Sequence, residues 1–219
     1  MNHNSTKGQQ ENKHHWYDGW FYDTLIAPNQ DRMYSVIEQM IPAGSRVIDI
    51  GCGTGRFLFQ LAGKCSFVAG TDLSETNIRV ASSTLDKNKT ERIAIHHGDG
   101  LKNIPSSWKS FDYAVITYVL HEMHPEDRQT LLQQVHDVAR YIIIGEYMAP
   151  QPPGFIKLLN TIVERVAGKD HYLNYRNFLQ SGGTLPLIES AGFSIIHSIE
   201  NNPHSSQIVL AATKMPKIA

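Results

Sequence analysis

The chain lacks the features that mark several broad classes of protein. Its only two cysteines, Cys52 and Cys65, form no Cys-x-x-Cys pair, which excludes a disulfide framework and indicates a reducing compartment. No apolar run approaches the roughly eighteen residues that a membrane span needs. The polar segment 1–13 has no apolar stretch and is therefore no signal peptide. We expect a cytoplasmic protein without membrane insertion.

A surplus of charge of one sign is also missing. The 20 Lys and Arg residues are matched by 21 Asp and Glu residues, so the formal net charge is −1. A protein that follows a phosphate backbone carries a positive surplus, and this balance therefore predicts no nucleic-acid partner. With 219 residues the chain is long enough for one large α/β domain, which we place at 14–219 after a disordered arm at 1–13.

What the chain does have is a glycine-rich loop between a strand and a helix. Residues 47–55 read Val-Ile-Asp-Ile-Gly-Cys-Gly-Thr-Gly, in which a β-branched strand at 46–50 ends in glycines at alternate positions. The apolar spacing at 56–62 predicts a helix directly after the loop. Glycine lets a ligand lie against bare main chain. Such strand–loop–helix units bind small cofactors that have an adenosine or phosphate part.

Near-continuous apolar strands alternate with amphipathic helices after this loop. The predicted strands are 46–50, 67–71, 92–97, 111–118, 141–145, 193–199 and 207–213. Strands without a polar face that are separated by helices are typical of a parallel sheet covered on both sides. The turn-rich residues between the last two strands predict a hairpin. We therefore predict an α/β fold: a doubly wound, mostly parallel seven-stranded sheet with a C-terminal antiparallel hairpin.

The helices follow from apolar residues at helical spacing. Residues 33–41 predict a helix before the first strand. Pro125 opens another helix, whose inner face extends to Ala139. Further helical stretches are expected around 155–167 and 176–191.

Four motifs in register resemble a known family. They are Val47–Gly55, Asp72, Gly98-Asp99 and the strand that begins Phe111-Asp112. Together they resemble the class I S-adenosylmethionine (SAM)-dependent methyltransferases, and more narrowly the small methyltransferase-domain proteins related to the quinone-biosynthesis enzymes. The resemblance implies a Rossmann-like methyltransferase fold, SAM as the cofactor and S-adenosylhomocysteine (SAH) as its product.

The resemblance also implies which residues hold the cofactor. Asp49 ends the first strand, where its carboxylate orients the amino group of the methionine part or caps the glycine turn. Asp72 accepts both ribose hydroxyls, or it serves the turn before a helix capped by Ser74. Leu73 flanks the adenine, and Asp99 accepts from the adenine amino group or belongs to an ordinary turn. The other predicted cofactor contacts are Gly51, Cys52, Gly53, Gly100, Thr117 and Tyr22.

The predicted reactive side of the crevice is the segment after the fourth strand. In an open α/β sheet, ligands bind at the carboxyl ends of the strands beside the switch point, here between the first and fourth strands. His121 is the candidate general base for a hydroxyl or thiol acceptor, and the alternative is that it only shapes the pocket. Glu146, at the end of the fifth strand, also points towards the crevice, or it forms a salt bridge or a helix cap.

Two flanking segments are expected to close the site. In the resembled family the N-terminal segment, here 14–42, folds over the cofactor as a lid, and its tyrosine touches the methionine end. We place Tyr17 in that role among the catalytic residues, with Tyr22 beside it; the alternative is plain core packing. The insert at 150–192 is where the family places substrate recognition, and it carries His171.

The tetrapeptide His121-Glu122-Met123-His124 resembles a zinc-binding pattern but has the wrong spacing. A zinc-protease helix needs two residues between the Glu and the second His, so that both histidines share one face. Only one residue separates them here, and none of the 11 histidines forms another recognisable ligand spacing. We therefore predict no metal site.

Two alternatives stay open at this point. A NAD(P)-dependent oxidoreductase uses a similar loop, but that loop reads G-x-G-x-x-G, whereas this one reads G-x-G-x-G and is followed by Arg56. The second alternative is a non-catalytic SAM-binding protein, and no residue of the sequence distinguishes it from an enzyme. The preferred interpretation is a SAM-dependent methyltransferase acting by in-line displacement on a small-molecule acceptor. The sequence indicates neither the acceptor atom nor the oligomeric state.

Overall fold

A seven-stranded sheet forms the middle of the protein in the computed structural model, which describes residues 27–88, 90–108, 110–201 and 205–213. Its strands are β1 (Arg46–Ile50), β2 (Phe67–Asp72), β3 (Ile93–His97), β4 (Phe111–Thr117), β5 (Ala139–Tyr147), β6 (Phe193–Glu200) and β7 (Ser206–Thr213). The spatial order is β3-β2-β1-β4-β5-β7-β6. The first five strands pair in parallel, whereas β7 is antiparallel to both β5 and β6. The predicted sheet and its terminal hairpin are confirmed.

Helices precede β1 and follow β1, β2, β4 and β5 in the described part of the chain. They are α1 (Ala27–Met40), α2 (Arg56–Ala62), α3 (Glu75–Asn88), α4 (Pro125–Val138), α5 (Phe155–Ala167), α6 (Lys169–Gln180) and α7 (Thr184–Ser190). An apolar core lies on each face of the sheet, between the strands and the helices that pack on them. Successive side chains of a strand point to opposite faces, so Ile48 and Ile50 join one core and Val47 joins the other. Burial on both faces explains why the strands show no polar alternation.

Two predicted boundaries are wrong. The stretch around 176–191 is not one helix, because α6 ends at Gln180 and α7 starts only at Thr184. Gly183 lies between them with φ of 72°, which glycine adopts without steric cost, and its N–H donates to Phe178 O at 3.0 Å. Ala139 does not lie on the inner face of a helix, because it is already the first residue of β5.

A buried arginine connects α4 and α6 to the loop after β4. The Arg128 side chain donates from Nε to Leu120 O at 2.7 Å and from Nη2 to Asn174 O at 2.7 Å. A third bond runs from Nη1 to Asn177 Oδ1 at 2.9 Å. The guanidinium also lies 5.3 Å from the centroid of the Phe178 ring. These contacts hold α6 beside the loop that carries His121.

The predictions for the N-terminal segment lie mostly outside the described residues. Residues 1–26 are not among them, so the disordered arm, the lid over the cofactor and the roles of Tyr17 and Tyr22 stay predictions. Helix α1 is among the described residues, and it packs against β5 through the buried Met33. A Cβ atom at Gly145 of β5 would collide with Met33 Sδ. Within the described ranges, no helix combines the length and the apolar character needed to cross a membrane.

We predict that Arg128→Leu lowers the free energy of unfolding by about 3 kcal/mol, because hydrogen bonds from a charged donor contribute more than neutral ones and their buried acceptors lose their partner. Urea unfolding followed by circular dichroism measures the change. The control is Arg79→Leu on the exposed face of α3, for which we expect a change within about 0.5 kcal/mol. Equal stability of the two variants would contradict the anchoring role of Arg128.

Candidate active site

The carboxyl ends of β1, β2 and β4 lie side by side. Ile50 at the end of β1 is in register with Thr71 of β2 and with Ile116 of β4. The loops that follow therefore meet at one edge of the sheet. A Cβ at Gly51 would collide with Val119 Cγ2, so only glycine lets the glycine loop pack against the segment after β4. This close approach joins the predicted cofactor loop to the predicted acceptor side.

Most main-chain donors of the glycine loop are used within the protein. The occupied N–H groups are those of Gly51 and Cys52 (to Thr71 O), Gly53 (to Asp72 Oδ2) and Gly55 (to Cys52 O), at 2.8 to 3.0 Å. Four of the five N–H groups at 51–55 are thus taken. A pyrophosphate-binding loop presents such groups to its ligand. The hydrogen bonding of this loop therefore does not fit a dinucleotide.

Asp72 holds the turn at the end of β2. Its Oδ2 accepts from Gly53 N, while Oδ1 accepts from Ser74 N at 2.8 Å and from Asn77 Nδ2 at 3.4 Å. Ser74 caps α3 as predicted, because its Oγ accepts from Asn77 N at 3.3 Å. The turn-stabilising alternative for Asp72 is therefore present in the structure, and ribose binding stays a prediction for the same carboxylate.

Asp49 is a buried carboxylate with an unsatisfied oxygen. Its side chain is only 1% exposed, and Oδ1 has no hydrogen-bond partner among the described residues. Burial, together with the charge of Asp72, raises the pKa of Asp49 to about 7. A buried carboxylate is costly unless a cation or a donor meets it. An ammonium group of a bound cofactor would supply that partner.

The predicted adenine side lies where the turns after β2 and β3 meet. Gly98 N donates to Asp72 O at 3.0 Å, and the ring of His97 donates from Nε2 to Leu73 O at 2.9 Å. The Leu73 side chain is 71% exposed and leaves an apolar surface for a flat ring. Asp99 forms an exposed ion pair with Lys102 at 2.5 Å.

Three other residues that were predicted to contact the cofactor, Cys52, Thr117 and Gly100, differ in their surroundings. The Cys52 side chain joins the core, with its Sγ 2.8 Å from where a Cβ at Gly70 would lie, and burial raises the pKa of its thiol. Thr117 ends β4 and is buried. Gly100 has φ of 60° and lies against Leu131. Cys52 can therefore offer a ligand its main chain but not its side chain.

His121 and Glu146 form a buried pair. His121 Nδ1 lies 2.8 Å from Glu146 Oε1, and because a carboxylate only accepts, Nδ1 carries the proton. The backbone N–H groups of His121 and Tyr147 also donate to this carboxylate, at 3.3 and 2.8 Å. The structure thus brings together two residues that the sequence placed at the ends of separate strands. It also leaves Nε2 of His121 as the atom that faces away from Glu146.

Burial alone lowers the pKa of His121, but the carboxylates of Glu146, Glu164 and Glu122 outweigh it and raise the pKa to about 9. These carboxylates therefore favour the protonated form of the ring. An imidazolium donates a proton instead of accepting one, so a role of His121 as general base stays a prediction.

Two side chains from the insert surround His121, and sequence reasoning missed how they meet it. Glu164 of α5 is buried; its Oε1 accepts from Tyr147 Oη at 2.9 Å and lies 3.6 Å from His121 Nε2. Its Oε2 lies 2.6 Å from Nε2 of His171 on α6. Burial raises the pKa of Glu164, but His171 and His121 outweigh that effect and lower it. We call the following residues the histidine cluster: His121, Glu122, Glu146, Glu164 and His171.

Tyrosine rings line the cluster. Tyr147 lies between Tyr118 and Tyr175, with ring centroids 5.4 and 5.3 Å away, and 4.9 Å from the ring of His121. Tyr118 has φ of 54°, a left-handed conformation that is rare and strained for an aromatic residue. Such strain is typical of functional sites. The sequence predicts Tyr118 at the end of the fourth strand, whereas β4 ends at Thr117 and Tyr118 directly follows it.

Comparison with known proteins finds methyltransferases. Residues 47–141 match the model of a methyltransferase domain. A demethylmenaquinone methyltransferase of Shouchella clausii (strain KSM-K16) is 28% identical over 168 residues, which cover 71% of this chain and 70% of that protein. A ribosomal protein L11 methyltransferase of Thermotoga neapolitana is 26% identical over 129 residues, which cover 58% of this chain and 47% of that protein.

The solved structure of magnesium protoporphyrin IX methyltransferase from Synechocystis PCC 6803 with bound SAH has the same fold. Its TM-score is 0.65 at 19% identity, and the match covers 90% of this chain and 91% of that one. This likeness shows the fold, and the domain match and the named relatives add the methyltransferase activity. Together these findings support a SAM-dependent methyltransferase, with SAM as the cofactor.

Proposed function

We propose that the chain transfers the methyl group of SAM to a small-molecule acceptor that binds beside the histidine cluster. The observation that carries the proposal is the enclosure of the acceptor side: His121, Glu146 and Tyr175 are 3%, 0% and 1% exposed. Buried polar side chains suit a compact acceptor that enters among them. A net charge of −1 gives no attraction for the phosphate backbone of a nucleic acid.

The residues at the edge of the sheet fit the cofactor. When bound, SAM supplies an electrophilic methyl group on a sulfonium. Asp49 would pair its unsatisfied Oδ1 with the ammonium group, and Asp72 would exchange part of its loop hydrogen bonds for the ribose hydroxyls. Leu73 would cover the adenine, with Asp99 accepting from its amino group. The space beside Gly53, where a Cβ would meet nothing within 4 Å, would hold the cofactor against the main chain.

The acceptor would lie on the other side of the Gly51–Val119 contact. His121 is held in one orientation by Glu146, and Tyr118 and Tyr147 confine it from the sides. These side chains would orient the acceptor and exclude water, and alignment with the methyl group is the main requirement of an in-line transfer. Glu146 acts through His121 and is in our proposal a positioning residue.

The test of this proposal follows the methyl group. The protein is incubated with a cell extract and SAM that carries a deuterated methyl group, and mass spectrometry locates the label in separated small-molecule, RNA and protein fractions. We expect the label in a small molecule, and no label with the Gly53→Ala variant as control. Label that depends on the wild-type protein but resides in RNA or in a protein would overturn the small-molecule acceptor.

We predict that Gly53→Ala weakens SAH binding by at least about tenfold, because a methyl group then occupies the surface on which the cofactor lies. Isothermal titration calorimetry with SAH measures the affinity. Gly44→Ala is the matched control: both glycines have positive φ, 55° and 80°, and at both a Cβ would meet nothing within 4 Å. The two variants carry a similar backbone strain, so equal SAH affinities would contradict the placement of the cofactor at Gly53.

We predict that Asp49→Asn stabilises the cofactor-free protein above pH 7 and has little effect near pH 4. The pKa of Asp49 is raised from 3.8 to about 7 in the folded state, so wild-type stability falls as pH rises through that window, whereas the asparagine of the variant does not titrate. The upper bound on the difference is about 4 kcal/mol, from about 1.4 kcal/mol for each pH unit. Urea unfolding at pH 5 and pH 8 measures it. A difference between the proteins that does not grow with pH would contradict the buried, unpaired state of Asp49.

A further inference from the structure

The histidine cluster has the donor set of a metal site. One ligand atom each from His121, Glu122 and His171 lie within 4.8 Å of one another. Glu122 Oε1 is 3.8 Å from Nε2 of both histidines. Ligand atoms around a tetrahedral metal with bonds of about 2.0–2.1 Å are roughly 3.3 Å apart. Shifts of roughly 0.5 to 1.5 Å between the pairs would therefore bring these three atoms to bonding distance of one ion.

The histidine that completes this set is not the one in the local sequence pattern. His124 follows Glu122 closely in sequence, but it is exposed and stands before the first residue of α4. His171 comes from α6, which is held beside Glu122 because Asn174 Nδ2 donates to Glu122 O at 2.8 Å. The spacing used against a metal concerns only ligands that lie close together in the sequence, and His171 lies far from His121.

The surroundings of His121 match those of a metal ligand. A histidine that binds a metal through one ring nitrogen commonly donates the other N–H to a carboxylate, which fixes the ring and raises its basicity. His121 Nδ1 makes that bond with Glu146 at 2.8 Å, and Glu146 is fully buried and held by two backbone N–H groups. Nε2, the other ring nitrogen, faces Glu122 and the ring of His171, and it would release its proton on binding a metal.

A second observation is a buried carboxylate aimed into the cluster. Glu164 Oε2 lies 2.6 Å from His171 Nε2 and has no other partner among the described residues. The Glu164 side chain is 4% exposed. Three carboxylates, those of Glu122, Glu146 and Glu164, surround only two imidazole rings. A divalent cation at this point would meet Oε2 and offset the buried negative charge.

We propose that His121, Glu122 and His171 bind a divalent first-row transition-metal ion, with Glu164 as the fourth protein donor. Imidazole and carboxylate together suit Zn²⁺, Co²⁺ or Mn²⁺, whereas Mg²⁺ and Ca²⁺ prefer oxygen donors. Glu122 is half exposed and gives the ion a path from solvent. The oxygen or sulfur atom of an acceptor could displace Glu122 from the ion, or bind to the ion as a further ligand beside the cofactor. A role of the ion in binding the acceptor rests on the proposed function, whereas metal binding itself does not.

The test measures metal binding without activity. Protein stripped with a chelator is titrated with Co²⁺, whose visible d–d absorption reports coordination by the protein, and Zn²⁺ affinity is then obtained by competition. We expect one ion per chain. His171→Ala should weaken binding by about 100-fold or more, since loss of an outer partner alone already costs about 10–100-fold. His124→Ala, the matched control, should bind as the wild type does.

Each outcome decides the metal proposal. Binding that His171→Ala reduces and His124→Ala does not supports it, provided that SAH still raises the melting temperature of His171→Ala and so shows that the variant is folded. Glu164→Gln, of nearly equal shape, should weaken binding as well. Absence of stoichiometric binding, or binding that neither His171→Ala nor Glu164→Gln reduces, would overturn it. Methyl label in a small molecule without metal binding would overturn the metal site and leave the proposed function standing.

Discussion

The parallel pairing of β1 between β2 and β4 is the constraint on which the candidate site depends. It places three strand ends at one edge, so that the glycine loop after β1, the Asp72 turn after β2 and the segment after β4 meet there. Gly51 lets two of these loops touch. Because most of the loop N–H groups are bound within the protein, mainly by Thr71 and Asp72, the loop is not a set of free donors for phosphate. In our proposal it is the surface on which the cofactor lies.

Buried charge is the second feature that the fold has to stabilise at this edge. Asp49 lies unpaired on the cofactor side, while the histidine cluster gathers three carboxylates and two imidazoles on the acceptor side. Such groups cost free energy in an empty protein and are stabilised when a partner of opposite charge arrives. The ammonium of SAM at Asp49, and a divalent cation at the cluster, would each supply that partner. The same polar interior that lowers stability therefore supports binding.

Much of the fold follows from the sequence because the strands are apolar on both faces and because the glycine loop is typical of one arrangement, a strand followed by a loop and a helix. Asp72 and Ser74 were found from their position after a strand, where a turn and a helix cap need such side chains. The start of β5 was missed because α4 passes into it at Ala139 without a turn residue. His121 meets Glu146 because β4 and β5 are neighbours in the sheet. Its contacts with Glu164 and His171 could not be predicted, since they depend on how α5 and α6 dock on the sheet. That docking relies on Arg128 and Asn174, whose partners are mostly main-chain oxygens that leave no sequence pattern.

The central claim is that this edge binds SAM and not a dinucleotide, and thermal unfolding with SAH and with NADH in parallel tests it most directly. A ligand that binds only the folded protein, present at 100 times its Kd, adds about 2.7 kcal/mol of stability. For a domain of this size that corresponds to a rise in Tm of roughly 5–10 °C. We expect this rise with SAH and none with NADH. A rise with NADH alone would contradict the account.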